Sequence, residues 1–320
     1  MSCNKQVSAA AEFSKPTGRV DVERTRCYML REMFKRQRTG SVVCASCGSL
    51  VGVNDDRCYT CGRRNPGLWG FAPLLRAFGN NFGFVDLIVY SCSILYLAML
   101  LITVAFGGDI MGRGGILNLL APDGRVSVAF GASGAIPLFL YGMWWTPLSA
   151  GWLHGSVLHI LFNMLWVRQL GPVVGDIYGA ARMIIIYTIA GVCGFVLSSL
   201  AGAYLGGLPS FLRGAALTLG ASAPIFGLLG ALVHYGRRGG SSLVGGQAMQ
   251  YAVVLFVYGL IMPGGGIDNY AHAGGFVGGY LASMWLDPLK RERTDHFIMA
   301  LLCLVATALA ILASLLKFFF

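Results

Sequence analysis

The chain has 320 residues and a formal net charge of +10, and 56% of its residues are hydrophobic while only 12% are charged. An average soluble domain carries roughly 25% charged residues, so this composition excludes an ordinary soluble domain and indicates a membrane protein. Much of the basic excess lies between Lys5 and Arg76. We attribute it to the excess of basic residues on the cytoplasmic side of membrane proteins rather than to nucleic-acid binding.

The N-terminal region contains a cysteine pattern of its own. Residues 1–40 are polar and basic, and we interpret them as a tail that is largely disordered. Residues 41–66 carry two CxxC pairs, made of Cys44, Cys47, Cys58 and Cys61. This pattern predicts a structural Cys₄ zinc ribbon, which requires a reducing, cytoplasmic environment. It has two candidate roles, recruitment of a cytoplasmic partner and capping of the membrane domain. Residues 67–84 form an interfacial linker.

Seven apolar segments follow the linker. Each long one reaches the ~20 residues that cross a hydrocarbon core of ~30 Å. The segments are residues 85–106, 150–171, 182–205, 222–236, 249–262, 270–286 and 296–316. Residues 107–149 form an unusually long loop between the first two. The sequence therefore predicts an all-α polytopic membrane protein.

The basic residues predict how these helices are oriented. On the side of the zinc ribbon we expect Arg168, Arg182, Arg237, Arg238, Lys290, Arg291 and Arg293. On the opposite side we expect Arg113, Arg125, Arg213 and Lys317, spread over longer segments. Because short loops weigh most in the positive-inside rule, the N-terminus should be cytoplasmic. The chain would then be a multi-pass protein of the plasma or inner membrane.

Two polar residues lie at matching depths in two of the apolar segments. Ser222 precedes Arg237 by 15 residues, and His272 precedes Asp287 by 15 residues. At 1.5 Å per residue both lie about 22 Å from the inner ends of their helices. If the helices touch, the two side chains can meet.

Small residues in both helices favour that contact. The helix of His272 carries Gly275 and Gly279, and the helix of Ser222 carries Gly227. Small-xxx-small patterns of this kind let membrane helices approach closely.

These residues have the chemistry of a serine hydrolase. His159 and Asn163 are spaced i, i+4 on one helix face, and both can donate hydrogen bonds to an oxyanion. We expect Asp268 at the membrane surface, so a Ser222–His272 dyad fits better than a triad, with His272 as the general base. Ser133 has a similar Gly-Ala-Ser-Gly context, but no apolar helix of membrane length follows it. We therefore do not expect Ser133 to be the nucleophile.

The chain resembles the rhomboid intramembrane serine proteases in these residues. Three ordered motifs carry the resemblance over roughly residues 83–290: His154-x₄-His159-x₃-Asn163, Gly220-Ala221-Ser222 and Ala271-His272-x₂-Gly275-x₃-Gly279. It implies that Ser222 is the nucleophile, His272 the general base, and His159 and Asn163 the oxyanion hole. His154, Gly220, Gly275 and Gly279 would be supporting residues. The resemblance also implies a six-helix core over residues 85–290, with residues 291–320 as an added seventh transmembrane helix.

Two departures from the family pattern are visible. Many members have glycine after the nucleophile, where this chain has Ala223, and the added methyl should narrow the pocket without removing a catalytic group. The Trp-Arg pair of the first loop is replaced by Trp145-Thr146. That replacement puts the anchoring of the loop in question rather than the chemistry.

The resemblance implies an endopeptidase that needs no cofactor for catalysis and cleaves transmembrane segments of membrane-protein substrates within the bilayer, near their outer end. A non-catalytic relative that binds and escorts membrane proteins is the main alternative, although such relatives lack the serine, the histidine or both. A transporter or channel would show mid-membrane charges and internal repeats, and the sequence shows neither.

Overall fold

The structure, a computed structural model, describes seven stretches of the chain. They are residues 36–44, 49–71, 83–111, 118–205, 213–261, 267–290 and 292–319. The expected ligand Cys47 and most of the expected N-terminal tail lie outside them.

Helices make up nearly all of the described membrane domain. The seven long ones are α1 (Phe84–Ala105), α4 (Val157–Tyr178), α5 (Ala180–Tyr204), α6 (Ser222–Arg237), α7 (Ser242–Ile261), α8 (Asn269–Leu286) and α9 (Thr294–Phe319). Two short helices, α2 (Gly124–Ala129) and α3 (Thr146–Ser149), lie between α1 and α4. The prediction of a polytopic all-α protein with seven long helices is confirmed.

The long helices are of two kinds. Within the described residues, α1, α4, α5, α7 and α9 are long and apolar enough to cross a membrane, whereas α6 and α8 are not among the helices that meet this condition. The helix α6 has only 16 residues, so it is about 24 Å long and shorter than the hydrocarbon core. Its residues from Ala223 to His234 are all buried, because α4, α5, α7 and α8 pack around it. The helix that begins with Ser222 is thus enclosed by the others.

The helix α4 begins later than the sequence predicted. The apolar run suggested a helix over residues 150–171, but residues 150–152 form a separate 3₁₀ turn and the helix starts at Val157. The Ser156 side chain accepts a hydrogen bond from the His159 N–H and caps the helix. The helix also continues to Tyr178, so Arg168 lies within α4 rather than in an inner loop.

The long first loop is folded from residue 118 onward. Asp123 caps α2, and α3 continues into the 3₁₀ turn Ala150–Trp152. Ser133 and Thr218 exchange backbone hydrogen bonds of 2.9 and 2.7 Å. This bridge joins the first loop to the segment that precedes α6.

A buried arginine ties the helix ends together at the side opposite to Ser222. The Arg182 guanidinium donates to the backbone carbonyls of Tyr178, Leu286, Asp287 and Lys290. The Arg182 N–H donates to Glu292 at 3.0 Å. Burial raises the pKa of the Glu292 carboxyl, and the Arg182 N–H and guanidinium oppose that rise. Arg182 was expected in an inner loop, and it lies in the first turn of α5 instead.

The N-terminal cysteine region forms a small unit. Strands β1 (Ser41–Val43) and β2 (Leu50–Gly52) pair antiparallel, with Val42 opposite Val51. Val42, Val51, Val53, Cys44 and Cys58 form its buried cluster. The Arg63 guanidinium lies 5.9 Å from the Phe297 ring of α9, so the unit contacts the membrane domain at the first turns of α9.

Candidate active site

The helices of Ser222 and His272 touch through glycine. A Cβ on Gly275 of α8 would lie 2.1 Å from the carbonyl oxygen of Ala223 in α6. A Cβ on Gly279 would lie 2.1 Å from the carbonyl oxygen of Gly227. Real Cβ atoms cannot come that close to backbone, so glycine is required at both positions. Ser222 is the first residue of α6 and precedes Ala223, so it lies beside the first of these two contacts.

An aromatic ring holds His272 against α6. The rings of His272 and Phe226 are stacked, with centroids 4.1 Å apart and planes 12° apart. Phe226 lies one turn after Ser222 and therefore shares its face of α6. Ser222 is partly exposed, whereas His272 is 7% exposed. The structure therefore brings the two residues to facing turns of neighbouring helices.

The carboxylate nearest to His272 in the sequence is used elsewhere. Asp268 caps α8 by accepting from the Ala271 N–H at 3.0 Å, and it also accepts from the Ser198 hydroxyl. His272 Nδ1 is buried and has no hydrogen-bond partner among the residues that the structure describes. Among the residues that the structure describes, Asp268 is therefore engaged with Ala271 and Ser198 rather than with His272.

His159 lies beside the turn that leads into Ser222. Its Nδ1 accepts from the Gly155 N–H at 3.4 Å, so the neutral ring carries its proton on Nε2. A Cβ on Gly220 would lie 2.5 Å from His159 Nε2. Gly220 also has φ +128°, a conformation that side chains disfavour. The Nε2–H donor is thus directed at the Gly220–Ser222 turn.

Asn163 lies one turn after His159. It is 6% exposed, and its Nδ2 donates to the His159 carbonyl at 2.8 Å. An amide nitrogen has two protons, so the second remains for another acceptor.

His154 lies before α4 begins and is fully buried. Its Nε2 lies 3.5 Å from the Ala221 nitrogen, and its ring meets the His159 ring edge to face at 5.2 Å. The helix predicted over residues 150–171 would have held both histidines. Because α4 starts only at Val157, their rings instead face one another.

The structure separates Ser133 from these residues. Its hydroxyl lies 3.3 Å from Thr146 Oγ1 and 3.4 Å from Ser199 Oγ, and the residue is fully buried. Ser133 belongs to the packing of the first loop.

Sequence reasoning missed Phe226. The available signal was its i, i+4 spacing from Ser222, which places it on the same helix face. An apolar residue in an apolar helix does not stand out without the structure.

The cysteine region contains a candidate metal centre. The sulfur atoms of Cys44, Cys58 and Cys61 lie within 4.8 Å of one another, and those of Cys44 and Cys61 are 3.7 Å apart. That distance is too long for a disulfide bond of ~2.05 Å. Four thiolates at ~2.3 Å from one tetrahedral metal ion would be about 3.8 Å apart. The three thiols could therefore hold a metal ion.

The fold and the site together define a polytopic helical membrane protein with polar groups clustered at one end of its bundle. Residues 141–289 match the family model described as Rhomboid domain. The chain therefore carries a Rhomboid domain over these residues.

Known relatives agree with that assignment. The chain is 31% identical over 188 residues to rhomboid protease GluP of Bacillus subtilis, covering 58% of this chain and 34% of the relative. It is 33% identical over 150 residues to RHOMBOID-like protein 7 of Arabidopsis thaliana, with 44% and 42% covered. Rhomboid protease GlpG of Pectobacterium atrosepticum is 30% identical over 145 residues, with 44% and 48% covered. The chain thus spans less than half the length of these relatives.

Proposed function

We propose that the chain is an intramembrane serine endopeptidase in which Ser222 and His272 form the catalytic dyad. The observation that carries the proposal is the close contact of α6 and α8 at Gly275, with His272 stacked on Phe226 one turn from Ser222. The two relatives named as rhomboid proteases support the same activity.

The groups at the site suit peptide-bond hydrolysis in two steps. His272 removes the proton from Ser222 Oγ, which attacks the scissile carbonyl carbon. The His159 Nε2–H, the second Asn163 N–H and the Ser222 backbone N–H stabilise the oxyanion. The tetrahedral intermediate collapses, the C–N bond breaks, and His272 returns the proton to the leaving amine. Water, deprotonated by His272, then hydrolyses the ester on Ser222.

The proposed substrates are transmembrane segments of other membrane proteins. With the N-terminus in the cytoplasm, Ser222 would open toward the outer side of the plasma or inner membrane. A helical segment must unwind to reach a serine at the end of a buried helix, so we expect small residues and helix-breaking Gly or Pro near the cleaved bond.

The cysteine region would hold structural zinc. Cys44, Cys58 and Cys61, together with Cys47, supply the thiolate set that zinc prefers. A four-thiolate site has no open position for a substrate, so its contribution is to the folding of residues 41–66. The catalytic steps need no cofactor.

Labelling with a fluorophosphonate probe tests the activity. We expect covalent labelling of the purified wild-type protein and none of Ser222→Ala or His272→Ala. Ser133→Ala is the matched control and should be labelled. The bridge from position 133 to Thr218 is made by backbone atoms, so the substitution should leave it in place. A correctly folded wild-type protein that is neither labelled nor able to cleave a model transmembrane substrate would favour the binding and escort function instead.

A further inference from the structure

The seventh long helix contacts the first loop at the end of the bundle where Ser222 lies. The Trp145 Nε1–H donates to Ser314 Oγ at 2.9 Å, although the two residues are 169 positions apart. Lys317 donates to the Tyr141 carbonyl, and its Nζ lies 5.6 Å from the Trp145 ring centroid. The last two turns of α9 thus hold two neighbouring points of the loop.

A glycine brings α9 and α3 together. Gly131 has φ +102°, and a Cβ there would lie 2.4 Å from Ser149 Oγ and 2.8 Å from Ser314 Oγ. Ser149 Oγ donates to the Gly131 carbonyl at 2.7 Å. Both Ser149 and Ser314 are fully buried. Gly131 therefore lies close to both serines and connects α9 with α3.

The end of α3 in turn contacts the residues that lead into Ser222. The Gly220 N–H donates to the carbonyl of Ala150 at 2.9 Å. A Cβ on Gly151 would lie 3.3 Å from Pro224 Cγ. Ala150 and Ala223 share one buried cluster. The contacts form a continuous path from Ser314 through Gly131 and Ser149 to Ala150, and from there to the turn formed by Gly220–Ser222.

The path also accounts for the altered residue pair of the first loop. Thr146 is fully buried, and its hydroxyl donates to the Met143 carbonyl at 2.9 Å and lies 3.3 Å from Ser133 Oγ, so it joins parts of the loop to one another. The bond from Trp145 to Ser314 supplies a long-range anchor at this point of the loop.

We propose that α9 is a positioning element of the active site, in which Ser314 holds the first loop through Trp145 and thereby sets the place of the Gly220–Ser222 turn. The proposal rests on the proposed protease function. Neither Ser314 nor Trp145 contacts the reacting atoms, so both act through the loop. Loss of the anchor should lower kcat more than it raises KM, because the turn carries the nucleophile.

The test compares three single variants and one double variant. Ser314→Ala and Trp145→Phe remove the two partners of the bond, and we expect each to lower kcat about fivefold, the change that corresponds to one buried hydrogen bond. The double variant should match the single ones, because both remove the same bond. Thr307→Ala is the matched control. Thr307 is also buried on α9 and donates to the carbonyl one turn back, that of Cys303, at 2.9 Å, as Ser314 does to Ala310.

Maximal cleavage rates are measured with a transmembrane substrate. Each rate is divided by the concentration of sites that react with a fluorophosphonate probe, which gives kcat per reactive site. A purely structural role would reduce the number of reactive sites and leave kcat per site unchanged. Wild-type kcat per site in Ser314→Ala and Trp145→Phe, or an equal loss in Thr307→Ala, would overturn the proposal.

A second measurement does not depend on protease activity. Amide hydrogen exchange of the peptide that contains Gly220 should be faster in Ser314→Ala and Trp145→Phe than in the wild type and in Thr307→Ala. Unchanged exchange would contradict the positioning role. Unlabelled wild-type protein with faster exchange in the two variants would contradict the proposed function alone.

Discussion

The imidazole of His272 lies flat against the phenyl ring of Phe226, with ring centroids 4.1 Å apart. Phe226 is 3% exposed, and it follows Ser222 by one turn of α6. Ser222, the proposed nucleophile, and Phe226, which supports the proposed base, therefore lie on the same face of α6. A shift of α6 would move both together.

The first prediction concerns this ring. Phe226→Leu keeps an apolar side chain but removes the stacking surface, so His272 should be less well oriented. We expect kcat to fall about fivefold, in line with ~1 kcal/mol for an aromatic pair, and Phe226→Tyr to keep most of the activity. Phe162→Ala is a control, because Phe162 is 57% exposed on α4. Full activity of Phe226→Leu would show that the ring does not orient the base.

The second prediction concerns the proposed oxyanion donors. His159→Ala and Asn163→Ala should each lower kcat by roughly 10²–10³, the usual effect of losing one such donor. The exposed Gln169 on the same helix provides a control, and Gln169→Ala should behave as the wild type. A rise in KM with wild-type kcat would mean that these residues bind the substrate rather than the transition state.

Much of the fold followed from local sequence properties. Apolar runs predicted the seven long helices in order, and the equal spacings of Ser222 and His272 from their inner ends predicted that both would lie near one end of the bundle. The start of α4 was placed seven residues too early, because the apolar residues 150–153 continue the run. The capping serine at position 156 was the signal for the true start.

The parts that could not be predicted depend on contacts between distant segments. Trp145 lies in the first loop and Ser314 lies in α9, and the sequence around neither residue indicates that the two are in contact. The same holds for Arg182, which was interpreted only as a positive charge in a loop. Its buried position follows from the carbonyls at the end of α8, which only the folded structure brings to it. The roles of the site residues stay predictions.

The third prediction concerns the glycines between α6 and α8. Gly275→Ala and Gly279→Ala would each bring a methyl group against a backbone carbonyl, so the helices must separate. We expect a loss of roughly 1–3 kcal/mol in the free energy of unfolding and a large fall in kcat, because displacement by 1 Å can cost about 10²-fold.

Gly246→Ala on α7 is the matched control for these variants. A Cβ there would have no atom within 4 Å, so the substitution should be neutral or slightly stabilising. The comparison uses thermal unfolding in detergent. Equal stability of the three variants would contradict the close contact of α6 and α8.

The fourth prediction concerns Arg182, which is 4% exposed. Arg182→Ala would leave the carbonyls at the ends of α4 and α8 without their donor, and we expect a loss of about 3 kcal/mol in the free energy of unfolding. Arg168→Ala on α4 removes an exposed arginine and should change stability little. Thermal unfolding of both variants measures the difference, and equal effects would mean that the buried bonds contribute nothing beyond a surface charge.

The last prediction concerns the cysteine region. Cys61→Ser and Cys44→Ser should release one zinc ion per chain and unfold residues 41–66, whereas Cys303→Ala, which changes a cysteine of α9 outside the cluster, should retain the metal. Elemental analysis of detergent-purified protein gives the stoichiometry.

Proteolysis should continue in all three variants, because the region contacts the first turns of α9 at Phe297, and Ser222 lies at the other end of the bundle. That separation is about 20 Å. Complete loss of cleavage in a correctly inserted Cys61→Ser protein would contradict a purely structural role for the metal, and it would place the cysteine region in control of the site.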